Sequence, residues 1–136
     1  MSDITQFPDL GARLTQKIIG AGIKVHQALG PGLLESIYEE CMAIQMRTDG
    51  LAFERQKPMD VFYEGVKLDI GYKVDFLIEN QVVVELKAVE KLLPIHEAQL
   101  LTYMKLGKID LGLLINFNTV LLKDGIKRMA LSHKVQ

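Results

Sequence analysis

The 136-residue chain has a single cysteine, Cys41. A disulfide framework is therefore excluded, and a reducing compartment is the expected setting. Cys41 lies in an amphipathic stretch and reads as core filler rather than as a reactive thiol. Charge of one sign is also lacking: 16 Lys and Arg stand against 17 Asp and Glu, a formal net charge of -1. No global field draws the chain to nucleic acid, so such binding needs a local patch, a homodimer or a protein partner. No apolar run approaches the length that spans a bilayer, so no membrane association is expected. The opening "MSDITQFPDLGARL" lacks the apolar core of a secretory leader, and a cytoplasmic location is expected. Repeats, low-complexity tracts and linkers are missing, as is any helix-turn-helix or zinc finger. One domain over residues 1–136, with a loose start over 1–8, is the expectation.

What is present changes period along the chain. Ile18, Gly22, Val25 and Leu29 recur at helical spacing, with Ile19, Ile23 and Ala28 widening the stripe, and predict a helix over 10–29. Gly20 and Gly22 cost helix propensity and point to close packing there. "Gly30-Pro31-Gly32" turns the chain into a second helix over 33–48, whose expected apolar stripe is Leu34, Ile37, Cys41 and Ile44. A strand broken near Pro58 follows over 51–65, then strands over 66–79 and 82–89 joined by a turn at Glu79-Asn80-Gln81. Pro94 opens a third helix closed by Gly107. A strand over 110–117 and a strand pair turning at Asp124-Gly125 complete the chain. The fold class is α/β: a central mixed sheet flanked by helices.

Inside "VVVELKAVE", residues 82–90, Glu85 and Lys87 interrupt an otherwise buried run. Charges are costly to bury unless paired or bound to a metal. Strand side chains alternate, so Val83, Glu85 and Lys87 share one face; Tyr72, Val74, Phe76 and Ile78 share a face of the preceding strand, opposite Lys73, Asp75 and Leu77. A hairpin turning around Asn80 sets Asp75 against Glu85. Opposed side chains come within about 5 Å at Cβ, and like charges there are destabilising. A divalent cation relieves that repulsion, since Mg²⁺ takes one or two carboxylates together with waters and phosphate oxygens. A solvated face with cross-strand salt bridges also fits the spacing. Val83 and Leu77 on the charged face argue for shelter.

Further polar groups can converge there. His96, Gln99 and Tyr103 form one stripe of the third helix, which reads either as solvent-facing or as support for a metal and a phosphate. Glu35 lies in the first turn of the second helix, where the helix dipole alone favours a carboxylate, and Tyr38 shares its face.

"GLLESIY", residues 32–38, resembles the Gly-x-x-Glu-x-x-Tyr signature of the GxxExxY proteins. "YKVDFLI", "VVVELKAVE", "HEAQLLTYMKLG" and "GLLINF" are similar to that family in the same order, over roughly residues 15–130. The family is placed in the PD-(D/E)xK nuclease superfamily. The resemblance implies a restriction-endonuclease-like fold and a divalent-metal-dependent nuclease, using Mg²⁺ or Mn²⁺ on nucleic acid, DNA in the first place. It implies that Asp75 and the Glu85-Leu86-Lys87 element form the active site, with Asp75, Glu85, Glu35 and the Leu86 backbone carbonyl as metal ligands. It implies further roles for Gln99 and Tyr103 as the Gln-x-x-x-Tyr element of RecB-like nucleases. Val74 stands where the literal motif has Pro. Lys73, Lys91, Lys105 and Lys108 are candidate phosphate contacts. The competing class is a binding module that keeps the fold without cutting.

Overall fold

Strand pairing gives the frame. The computed structural model describes residues 3–131, and the backbone alone over 3–10. Five strands form one mixed sheet in the order β1 (Phe53–Met59), β4 (Tyr72–Ile78), β5 (Val82–Lys87), β6 (Leu111–Asn116) and β7 (Ile126–Ala130), while β2 (Phe62–Tyr63) and β3 (Val66–Lys67) pair as a separate hairpin. Only β5 and β6 run parallel. Helix α3 (Pro94–Gly107) makes the crossover between them. Helices α1 (Asp3–Leu29) and α2 (Glu35–Thr48) pack with Phe76, Ile78, Val82, Val84 and Leu86 in one apolar cluster. Leu100 and Met104 of α3 pack with Val74, Leu77, Val83 and Leu114 in a second. The result is the expected mixed sheet flanked by helices. Among the described residues no helix is long and apolar enough to cross a membrane.

Several local expectations need correction. Helix α1 is traced from Asp3, through most of the segment read as a loose start; the first two residues of that segment lie outside the described residues. Its core face is Ile18, Ala21, Gly22 and Val25, while Ile23 and Leu29 stay outside. Close packing holds at Gly22, where a Cβ would come within 3.2 Å of Leu122, and fails at Gly20, which faces open space. Helix α2 buries the face opposite to the predicted one: Tyr38, Met42 and Met46 are fully buried, and Leu34, Ile37 and Ile44 are exposed. The helix carries two apolar stripes, and the longer side chains fill the core beneath it. Cys41, half-buried, packs at the edge of that core.

Pro58 does not break β1, which continues to Met59 on the sheet edge, where a missing N–H is tolerated. The segment read as one strand over 66–79 is split between β3 and β4. The last strand pair is a short 3-10 helix (Leu122–Gly125) followed by β7 alone. His26 Nε2 donates to the Thr119 carbonyl at 2.7 Å, and Leu122 is buried against the core. Both tie this segment to α1 instead of the sheet.

Candidate active site

The β4–β5 hairpin turns at Glu79 and Asn80, with φ of 53° and 55°. These are the two positive-φ positions of a type I′ turn. The pairs Ile78–Val82, Leu77–Val83 and Phe76–Val84 set the expected register, which points Asp75 at Glu85. There the ladder stops, and the carboxylates take over the vacant backbone donors. The Asp75 N–H donates to Glu85 Oε2 at 2.7 Å, and the Leu86 N–H donates to Asp75 Oδ2 at 2.8 Å. The N–H and C=O of one strand residue face the same edge, so the Leu86 carbonyl also faces this gap.

The alternation of faces breaks at the same point. Tyr72 and Val74 pack with the α3 cluster, but Phe76 and Ile78 pack with the α1 and α2 cluster. The four were expected to share one face; the twist at Asp75 overturns that. It also explains how residues from both helical layers meet at one carboxylate pair.

Burial dominates the electrostatics. Glu85 is 7% exposed. Desolvation, with the Asp75 charge adding to it, pushes its carboxyl from 4.5 up to about 8. Asp75 is raised as well, by burial first; Glu39 adds to the rise, and the Leu86 N–H opposes it. Glu35 is raised by burial and then by Asp75. The Lys87 ammonium pulls all three carboxyls back in part. Among the described residues Lys87 makes no ion pair. The Tyr103 hydroxyl is raised by burial and then by Glu85 and Asp75. Glu35, Asp75, Glu85 and Lys87 therefore act on one another electrostatically, and Tyr103 feels Glu85 and Asp75, at the carboxyl end of the parallel strand pair.

Two supporting groups behave differently. Gln99 is exposed on α3, one turn before Tyr103. His96 accepts the Leu93 N–H on Nδ1 at 2.9 Å and caps α3. Tyr103 is held by ring stacking on Tyr72 at 4.5 Å, while the Tyr72 hydroxyl donates to the Tyr103 carbonyl. Tyr38 turns inward, stacks on Phe117 at 4.5 Å and donates to the Gly30 carbonyl, fixing the turn that starts α2. Of the lysines, Lys105 and Lys108 lie at the end of α3 that feeds β6. That is the far end of β5 from Lys87, roughly 17 Å away along the strand. They are not brought to the site. Lys73 and Lys91 are exposed nearby in sequence.

Sequence reasoning missed four groups: Gln56, Glu39, Arg55 and Asn116. Gln56 Nε2 donates to both Glu39 Oε1 (2.9 Å) and Asp75 Oδ1 (3.1 Å). Arg55 Nε donates to Glu39 Oε2 at 2.7 Å. Buried Asn116, the register partner of Lys87, exchanges hydrogen bonds of 3.0 and 2.9 Å with the Val89 backbone and so fixes the chain just past Lys87. The spacing of Glu35 and Glu39, one helical turn, was the only signal available for Glu39.

Asp75 and Glu85 suit a hard divalent cation: two adjacent oxygen ligands whose joint ionisation is opposed until a cation arrives. Among the described residues no three His, Cys, Asp or Glu side chains are arranged to hold a metal by themselves. Glu35 thus stands outside the immediate pair. Such a two-carboxylate site leaves positions for water and phosphate oxygens.

The sequence pattern of the PD-(D/E)XK nuclease superfamily matches residues 12–129. The chain belongs to this superfamily. No curated protein and no solved structure matches it. The superfamily's restriction-endonuclease-like core accounts for the five-stranded mixed sheet and its flanking helices.

Proposed function

We propose that the protein is a divalent-metal-dependent nuclease that hydrolyses phosphodiester bonds in nucleic acid, DNA in the first place. Within the superfamily we assign it to the GxxExxY proteins, through Gly32, Glu35 and Tyr38, as a single domain. The observation that carries this reading is the pairing of half-buried Asp75 with buried Glu85, each carboxylate accepting a backbone N–H from the other strand. Asp75, Glu85 and the Leu86 carbonyl would hold Mg²⁺ or Mn²⁺, with Glu35 completing the ligand set or orienting water. The cation supplies Lewis acidity toward a phosphodiester. Lys87 presents an unpaired ammonium to the charge that develops on the phosphate. Tyr103, whose hydroxyl is held protonated by burial and by Glu85 and Asp75, would donate a hydrogen bond to a phosphate oxygen, and exposed Gln99 would contact the nucleic-acid backbone beside it.

The test is cleavage of supercoiled plasmid, linear duplex, single-stranded DNA and RNA, each with Mg²⁺, Mn²⁺ or chelator. Glu85→Ala and Lys87→Ala run beside wild type. Metal-dependent cutting lost in both variants is expected. Absence of cutting on every substrate at high protein concentration would favour the binding module, and cutting that survives in both variants would refute this site.

A further inference from the structure

β1 has one residue that its conformation does not suit. Gln56 sits inside the strand at φ 50°, a left-handed backbone that non-glycine residues adopt rarely. Its neighbours keep register: Arg55 pairs with Phe76 and Lys57 with Val74, so Gln56 lies opposite Asp75. The change of face found in β4 at Asp75 recurs here in β1. Phe53 packs with the α1 and α2 cluster, and Met59 packs with the α3 cluster. Strained backbone of this kind persists where surrounding interactions hold it, and it gathers at functional sites.

The side chain shows what holds it. A primary amide has two N–H donors, and both are used, one on Glu39 and one on Asp75. Both acceptors are carboxylates, so the nitrogen must face them. Glu39 is itself fixed from the other side by Arg55, which also pairs with Glu40 at 2.7 Å. Asp75 then has both oxygens engaged, Oδ1 by Gln56 and Oδ2 by the Leu86 N–H. Its carboxylate is oriented from β1 and β5 at once and linked to α2, which carries Glu35.

We propose that Gln56 is a positioning residue for the metal site: its strained backbone and bridging amide hold the Asp75 carboxylate in line with Glu85 and tie it to α2. The inference rests on the metal-nuclease reading above. Outer partners of metal-ligating carboxylates typically change metal affinity by about 10- to 100-fold when removed.

Glycine separates positioning from stability. Gln56→Gly relieves the backbone and removes the amide; Gln56→Ala removes the amide and keeps the strain. Lys108→Gly, at φ 58° and far from the site, is the control for relief of strain alone. Mn²⁺ affinity is measured by titration calorimetry in the absence of substrate, and Tm by thermal unfolding with chelator. The expected result is weaker Mn²⁺ binding in both Gln56 variants, by about tenfold. Tm should equal or exceed wild type in Gln56→Gly, and Lys108→Gly should leave Mn²⁺ affinity unchanged. Wild-type affinity in both Gln56 variants, with binding abolished in Glu85→Ala, would overturn this inference and leave the nuclease reading standing. No Mn²⁺ binding by wild type would overturn both.

Discussion

At the scale of single residues, Glu85 is costly without a cation. Its folded-state carboxyl lies at about 8 against an ordinary 4.5, so between those pH values the folded chain holds a proton that the unfolded chain has released. Stability therefore falls as pH rises through that window, and the raised Asp75 acts in the same sense. Glu85→Gln keeps an oxygen for the Asp75 N–H and removes the charge. In chelator at pH 8 the variant should be more stable than wild type, by on the order of 2 kcal/mol, with the gap closing toward pH 4. Urea unfolding at the two pH values checks this, and a variant less stable at pH 8 would contradict it. The same proton must leave when a metal enters. Mn²⁺ binding should tighten with rising pH up to about 8 and release protons below it. Calorimetry in two buffers of different ionisation enthalpy counts them; equal apparent heats would count against Glu85 as a ligand.

At the scale of elements, the turn before α2 depends on Tyr38. Its hydroxyl donates to the Gly30 carbonyl and accepts the Leu33 N–H at 3.2 Å. Tyr38→Phe keeps the stack on Phe117 and loses both bonds, so a loss of about 1 kcal/mol is expected in denaturant melts. At the other end of the molecule, Lys108 closes α3 in a left-handed conformation that glycine adopts freely. Relief of about 1–2 kcal/mol of left-handed strain, less the entropic cost of glycine, should leave Lys108→Gly more stable by roughly 0.5–1 kcal/mol, read from the same melts. These elements also show what a sequence discloses. The β4–β5 register was legible because only the three residues Glu79-Asn80-Gln81 join the strands, which leaves little freedom, and with it came the meeting of Asp75 and Glu85. The β1–β4 register was not, because the β2–β3 hairpin intervenes, and so Gln56 stayed hidden. The buried face of α2 was misread because both of its faces are apolar and only tertiary packing chooses between them. The switch of faces at Asp75 was invisible because a period of two assumes a regular strand.

At the scale of the whole molecule, four carboxylates concentrate at one end of the sheet although the net charge is only -1. Glu35, Glu39, Asp75 and Glu85 gather at one end of the sheet, while Lys105 and Lys108 lie at the other. Without a cation the site should repel a phosphate backbone, and with one it should attract it. Association with nucleic acid is thus expected to be gated by metal, as the proposed cutting is. The proposal can be examined without catalysis, using a labelled duplex, fluorescence anisotropy and Ca²⁺ as the added cation. In chelator and low salt, the double variant Asp75→Asn, Glu85→Gln should bind more tightly than wild type, by about threefold for each charge that ionises and is removed. Adding Ca²⁺ should reverse the order, because only wild type keeps ligands for it. Raising the salt should shrink the chelator difference as the Debye length shortens. If the variant and wild type bound alike under all three conditions, the duplex would not approach the carboxylate end, and the substrate would have to reach the protein elsewhere.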